Sequence, residues 1–228
     1  MWLESVGVAL VGGLICLDRN LLQVMISRPI VAGPLTGLLL SDFSTGLVVG
    51  ALMELLWIDR LPIGSYIPPN DSMTTILITA VSILAGTQVG RVSPELVTLA
   101  VVLLLPVGLL GQKIDTLVTI QNNKLSHRAI ACARKGDARG ISRVHLTAIA
   151  RAFLLNVVLL FVMLIAAVAV IRWLFPLLSD AMLQGLRYMY IFIPVLGVAV
   201  AINTIKVRGV VPVFCVLSLV LIVIAEFL

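Results

Sequence analysis

Pro29-Ile-Val-Ala-Gly-Pro-Leu-Thr-Gly-Leu-Leu-Leu40 and, after a short polar break, Thr45-Gly-Leu-Val-Val-Gly-Ala-Leu-Met-Glu-Leu-Leu56 decide how this chain is read. Both runs are apolar. Both stop short of the ~17–20 residues that a helix needs to cross a ~30 Å hydrocarbon core. Ser5–Leu17 upstream is equally short, and Gly12, Gly13, Gly33, Pro34, Gly37, Gly46 and Gly50 punctuate the three segments. Short apolar segments interrupted by Gly and Pro suit re-entrant or broken helices, whose freed backbone groups are satisfied inside the protein. Ordinary spans with polar ends are the alternative. The two quoted runs also echo each other in their small residues and leucines, and paired short segments often flank a binding site in transporters.

The surrounding chain makes the membrane setting firm. Hydrophobic residues are 61% of the 228 and charged residues 12%, against roughly 45–50% and 25% in soluble domains. Mean hydropathy is +1.16, too apolar to leave a water-soluble surface. Lys113, Lys124, Arg128, Arg134, Lys135, Arg139, Arg143 and Arg151 make eight of the sixteen basic residues. A cluster beside apolar spans is a cytoplasmic topology signal rather than a nucleic-acid patch. Beyond it, Ala152–Ile171, Tyr188–Ile205 and Val210–Ala225 read as three spans. Before it, Met73–Gly90 and Pro94–Gly111 read as a hairpin turned at Arg91–Pro94, and Gly140–Phe153 as a surface-lying lead-in to the next span.

The predicted fold is therefore an all-α integral membrane protein, a polytopic helical bundle with short re-entrant or broken helices in its N-terminal half. Three regions follow. Residues 1–111 form a membrane half holding the substrate site, 112–151 a basic cytoplasmic loop with an interfacial helix, and 152–228 three transmembrane spans. The N-terminus lacks the positive region and cleavage site of a removable signal peptide. Cys16, Cys132 and Cys215 have neither metal nor disulfide spacing, and no metal or cofactor is expected.

Glu54 is the most informative polar residue, because a carboxylate at membrane depth costs roughly 2.5–3.5 kcal/mol on insertion scales. It reads as an acceptor for ligand hydroxyls, an ion or a proton; an interfacial pair with Arg60 is the bland alternative. The segment Leu61–Asp71 is broken by Pro62, Pro68 and Pro69 and ends in Asn70-Asp71. An amide that donates and accepts, beside a carboxylate that accepts, suits a polyhydroxylated ligand, though Pro-Asn-Asp is also ordinary turn chemistry. Asp18, Arg19, Asn20, Gln23 and Arg28 form a third polar set. Gln23 is its better ligand candidate, and Asp18 and Arg19 read equally well as exposed charges. Asp42 reads as a cap for the following segment. His127 and His145 lie in the basic segment, and no nucleophile, metal or phosphate-loop motif appears, so the chain is not expected to be an enzyme on its own.

Taken together, Gln23-Val-Met-Ile-Ser-Arg-Pro29 through Asp42, then Thr45–Glu54, Pro62-Ile-Gly64 and Pro68-Pro-Asn70, resemble the IIC subunit of the mannose/fructose/sorbose family of the bacterial phosphotransferase system. The resemblance implies a sugar permease in the bacterial cell (inner) membrane, with an elevator-type moving core. It implies pairing with a IID membrane subunit in an oligomer within the lipid bilayer, and cytoplasmic IIA and IIB phosphocarriers that phosphorylate the sugar. The substrate would be a hexose-type sugar, held by Glu54 and Asn70 with Gln23, Asp18 and Asp71 beside them. Ser41, Asn70-Asp71 and Asp59-Arg60 depart from the family's usual residues. A non-transporting membrane scaffold or sensor that recruits phosphocarriers is the alternative function.

Overall fold

A computed structural model describes residues 1–19, 21–60, 66–205 and 209–227. Asn20 and the Leu61–Ser65 part of the proline segment, with Pro62-Ile-Gly64, lie outside the described residues. The described chain forms the helices α1 (Trp2–Leu17), α2 (Pro29–Leu39), α3 (Phe43–Leu56), α4 (Asp71–Val89), α5 (Pro94–Leu104), α6 (Val107–Arg134), α7 (Ala138–Leu174), α8 (Asp180–Ile205) and α9 (Val210–Phe227), with a 3₁₀ turn at Phe175–Leu177. Among the described residues, four stretches are long and apolar enough to cross a membrane: Asp71–Val89, Pro94–Arg134, Ala138–Leu177 and Asp180–Thr204. The fold is that of an all-α polytopic membrane protein.

The two short runs form a helical hairpin. At ~1.5 Å per residue, the 11 residues of α2 and the 14 of α3 reach ~16 and ~21 Å, so neither is long enough to cross a ~30 Å core. Pro29 starts α2, where a missing N–H costs nothing. Ser41 takes a left-handed φ of 61° at the turn. Asp42 then caps α3 as expected, accepting from the Thr45 amide at 3.0 Å and the Thr45 hydroxyl at 2.6 Å.

The glycines do not break these helices. They join them. A Cβ at Gly33 would lie 2.5 Å from the Gly46 carbonyl oxygen and 2.8 Å from the Gly50 Cα, and one at Gly37 would lie 3.0 Å from the Gly46 Cα. Gly33 with Gly37 faces Gly46 with Gly50, the small-xxx-small device that lets backbones touch in a membrane. The sequence echo is thus the two halves of one helix–helix contact.

Helix α4 occupies the centre and packs against α1, α2, α3, α5, α6 and α7. Ser72, Thr74, Thr75, Thr79 and Ser82 are all fully buried on it. Thr74 and Thr75 donate back to the carbonyls of Asn70 and Asp71, both at 2.8 Å, so small polar groups fill this core without unsatisfied hydroxyls at its first turn. Gly90, at φ 112°, ends the helix, and Ser93 caps α5 through the Leu96 amide.

Two expectations are revised. Pro94–Gly111 is not one helix, because the chain breaks at Leu105-Pro106 and restarts as α6. Segment 112–151, read as a basic loop with one surface-lying helix, is a helical hairpin turned at Lys135-Gly136-Asp137. Asp137 caps α7 through the Gly140 amide at 2.9 Å. No Gly or Pro interrupts 141–174, so the lead-in and the span run on as one helix. Its 37 residues reach ~55 Å, about 25 Å more than the hydrocarbon core.

The glycine contact generates a test. Gly46→Leu should push α3 off α2 and cost at least ~1–3 kcal/mol as overpacking, a fall in melting temperature of several degrees for a chain of this size. Gly185→Leu, on α8 with nothing within 4 Å of its added Cβ, should melt like the unaltered protein. Thermal size-exclusion profiles of the detergent-solubilised chains would show the difference.

Candidate functional site

Where α4 begins, its first amides point at an interior rather than at water, and the residues around them supply acceptors. The Asn70 side-chain oxygen Oδ1 caps the helix by accepting from the Met73 amide at 2.9 Å. The Asn70 backbone amide donates to the Gly108 carbonyl at 2.9 Å. Its side-chain amide donates to Asp115 Oδ2 at 3.0 Å. This close approach needs the glycine face of α6, since a Cβ at Gly111 would sit 2.5 Å from the Asn70 Cβ. Gln112 donates to the Ile67 carbonyl at 2.5 Å and ties the preceding strand of chain to the same helix.

Asp71 accepts on Oδ1 from Arg19 at 2.6 Å and from the Ser72 amide at 2.9 Å. Arg19 also reaches Asn70 Oδ1 at 3.4 Å. One guanidinium thereby joins the end of α1 to the start of α4. The α1–α2 connection is folded around Asp18, which accepts from the Val24 amide at 2.9 Å, the Ser27 amide at 3.2 Å and the Ser27 hydroxyl at 3.0 Å. Burial alone would raise the Asp18 carboxyl, but these bonds outweigh it and hold the group below the usual carboxylate range. The same folding places Gln23 and Met25 in left-handed backbone, at φ 53° and 66°. The Ser72 hydroxyl donates to the Ser27 carbonyl at 2.5 Å and closes the connection onto α4.

These groups surround a cleft of about 470 Å³ whose charged lining is Asp18, Asp71 and Asp115 with Arg19, Arg28 and Arg60, and to which Gln23, Tyr66 and Thr119 also contribute. It lies at the end of the bundle from which the α6–α7 hairpin projects, since Asp115 and Thr119 belong to α6. Arg28 is fixed by an ion pair with Glu54, and Glu54 also accepts from the Ile30 amide at 3.3 Å.

The structure sorts the sequence candidates. Asp18, Gln23 and Asp71 line the cleft. Asn70 is 1% exposed and sits behind it, its amide committed to the cap and to Asp115. Glu54 also stands one contact back, through Arg28 rather than the Arg60 named as its alternative partner. Asp18 and Arg19 are not exposed charges: Asp18 is 4% exposed and the Arg19 side chain 15%. Asp115 was missed altogether, because in a basic segment it reads as one more solvated charge. Treating 107–134 as a helix would have exposed the signal, since Gly108, Gly111, Gln112, Asp115 and Thr119 then share one face.

Comparison with known proteins agrees with this architecture. The family model described as "PTS system sorbose-specific IIC component" matches residues 2–227. The chain is similar to the fructose permease IIC component of Bacillus subtilis (strain 168), 26% identical over 187 residues, covering 82% of this chain and 66% of the relative. It is similar also to the mannose-specific EIIC component of Escherichia coli (strain K12), 23% identical over 188 residues, covering 82% and 68%. The matched stretch thus spans about two thirds of these relatives' length. Among solved structures, a membrane protein superposes with TM-score 0.74 at 21% identity, covering 94% of this chain and 84% of the other. The mannose transporter ManYZ, solved by cryo-electron microscopy in complex with microcin E492, does so with TM-score 0.64 at 21% identity, covering 95% and 84%. With its short N-terminal helices, its central α4 and a family match running almost from end to end, the chain belongs to the sorbose-type IIC components of the phosphotransferase system.

Proposed function

We propose that this chain is the membrane permease subunit of a sugar phosphotransferase system, translocating a hexose-type sugar that partner subunits phosphorylate. The observation that carries the proposal is the polar cleft at the start of a helix buried in a membrane bundle. Its volume is that of a small-molecule site. Its carboxylates accept from hydroxyls, and Arg19 and Gln23 donate to them, the mixture a neutral polyol requires. Gln23, Asp71 and Asp18 face the sugar, while Glu54 and Asn70 act one contact removed by holding Arg28 and Asp115. A scaffold that only recruited partners would leave this cleft without a role. The chain performs no phosphoryl chemistry itself. It works in the bacterial inner membrane with a IID subunit, and soluble IIA and IIB phosphocarriers approach from the cytoplasm. Uptake of radiolabelled mannose, fructose, sorbose and N-acetylgalactosamine, with and without those partners, tests the reading. One of these sugars should accumulate as its phosphate ester only in the complete system, and accumulation of none would overturn the proposal.

The Glu54–Arg28 contact makes a distinct expectation. Glu54→Gln should lower uptake about ten-fold, since a hydrogen bond to a charged group contributes ~1.5–3 kcal/mol. Adding Arg28→Gln should change little further, because the two substitutions remove one interaction. Multiplying losses in this double-mutant cycle would mean that Glu54 contacts the sugar on its own.

The projecting hairpin carries the partner side of the proposal. Lys124, Arg128, Arg134, Lys135, Arg139 and Arg143 are all exposed on it. Neutralising Arg134, Lys135 and Arg139 should slow association with the soluble phosphocarriers and flatten its salt dependence. Stopped-flow association rates at two ionic strengths would measure this. Protein delivered to the membrane with the opposite orientation would instead mark these cations as topology determinants.

A further inference from the structure

We propose that the ring of Tyr66 is the platform on which the cleft seats its sugar, so that the site selects a closed sugar ring over an open-chain polyol bearing the same hydroxyls. The proposal rests on the permease reading and adds to it the form of substrate that the cleft takes.

A sugar ring has two kinds of surface. Its hydroxyls project from the rim and need hydrogen-bond partners, while the C–H groups on its faces are apolar and carry a slight positive charge. The carboxylates, guanidiniums and Gln23 of the cleft serve the rim. A ligand site also needs an apolar wall, and here Met25, Tyr66, Ile67 and Pro68 supply it. Of these only Tyr66 is aromatic. The face of an aromatic ring is negative at its centre, which complements polarised C–H groups laid against it.

The chain between Tyr66 and α4 is anchored at each step. Gln112 donates to the Ile67 carbonyl, and Pro68 and Pro69 are buried with their φ angles fixed by their own rings. The Asn70 backbone amide then donates to the Gly108 carbonyl at 2.9 Å. At the end of this fixed run, Tyr66 is nevertheless 46% exposed. Among the described residues no second aromatic ring and no cation stacks on it. Its hydroxyl end is engaged, since Tyr66, ahead of Asp59, holds the Arg60 guanidinium above the usual arginine range. The ring face is therefore what the cleft offers a ligand. An open-chain polyol presents the same hydroxyls but no fixed apolar face, and it must lose internal rotations to bind.

Competition binding on the full chain in nanodiscs is the test. Tritiated mannose, fructose, sorbose and N-acetylgalactosamine identify the sugar bound. That sugar and its alditol, made by reducing the carbonyl, then compete for the site. The unaltered protein should favour the sugar at least about ten-fold. Tyr66→Ala should weaken the sugar roughly ten- to a hundred-fold and the alditol much less, narrowing their ratio about five-fold or more. Tyr66→Phe keeps the ring face and should bind the sugar within about three-fold of the unaltered protein. A merely structural role would weaken sugar and alditol together. That equal weakening, or a Tyr66→Phe protein as weak as the Tyr66→Ala protein, would overturn the platform while the permease reading stood. Binding of none of the sugars by the unaltered protein would overturn both.

Discussion

A helix that starts inside a protein exposes four amides that water cannot reach, and α4 starts there. Asn70 and Asp71 answer that constraint, one accepting from Met73 and the other from Ser72. Each then needs a partner for what the cap leaves unused. Arg19 supplies it for Asp71 and Asp115 for the Asn70 amide. Removing any of these would leave a buried charge or amide unsatisfied, at a cost larger than the net contribution of a typical hydrogen bond. The cleft exists because this cap is built from long-range partners: α1, α4 and α6 are drawn to one point, and the space between their side chains stays open.

The α2–α3 hairpin solves the complementary problem. Helices too short to cross must satisfy their ends within the protein, and apolar side chains give no hydrophobic drive to pair where the surroundings are equally apolar. Backbone contact across Gly33, Gly37, Gly46 and Gly50 replaces that drive with dispersion at close range. It also lets α3 end where Glu54 can reach Arg28 at the cleft wall. The glycines that look like flexibility in the sequence act as rigid packing.

Helix α6 links the two ends of the system. Its first turns carry the glycine face beneath Asn70 and the Asp115 carboxylate, and its last turns carry the exposed cations of the projecting hairpin. One continuous helix thus runs from the Asp115 carboxylate in the cleft wall to the exposed cations of the hairpin.

Several features were set by the sequence alone, because they depend on neighbours within a few residues or on a length compared with the membrane. Such are the membrane setting, the shortness of α2 and α3, the turn after Gly90 and the Asp42 cap. The polar positions Asp18, Gln23, Glu54, Asn70 and Asp71 could be singled out because charge and amide are costly among apolar residues. Which of them face the cleft could not. Asn70 and Asp115 are separated by 45 positions, Arg19 and Asp71 by 52, and Arg28 and Glu54 by 26. No local pattern encodes those pairings, since each arises only when helices distant in the chain pack side by side. Tertiary structure therefore moved Asn70 and Glu54 behind the wall, brought Arg19 inside and placed Asp115 at the front. The physical reason is that a polar group's role in an apolar interior is fixed by the partner that satisfies it, and the fold chooses the partner.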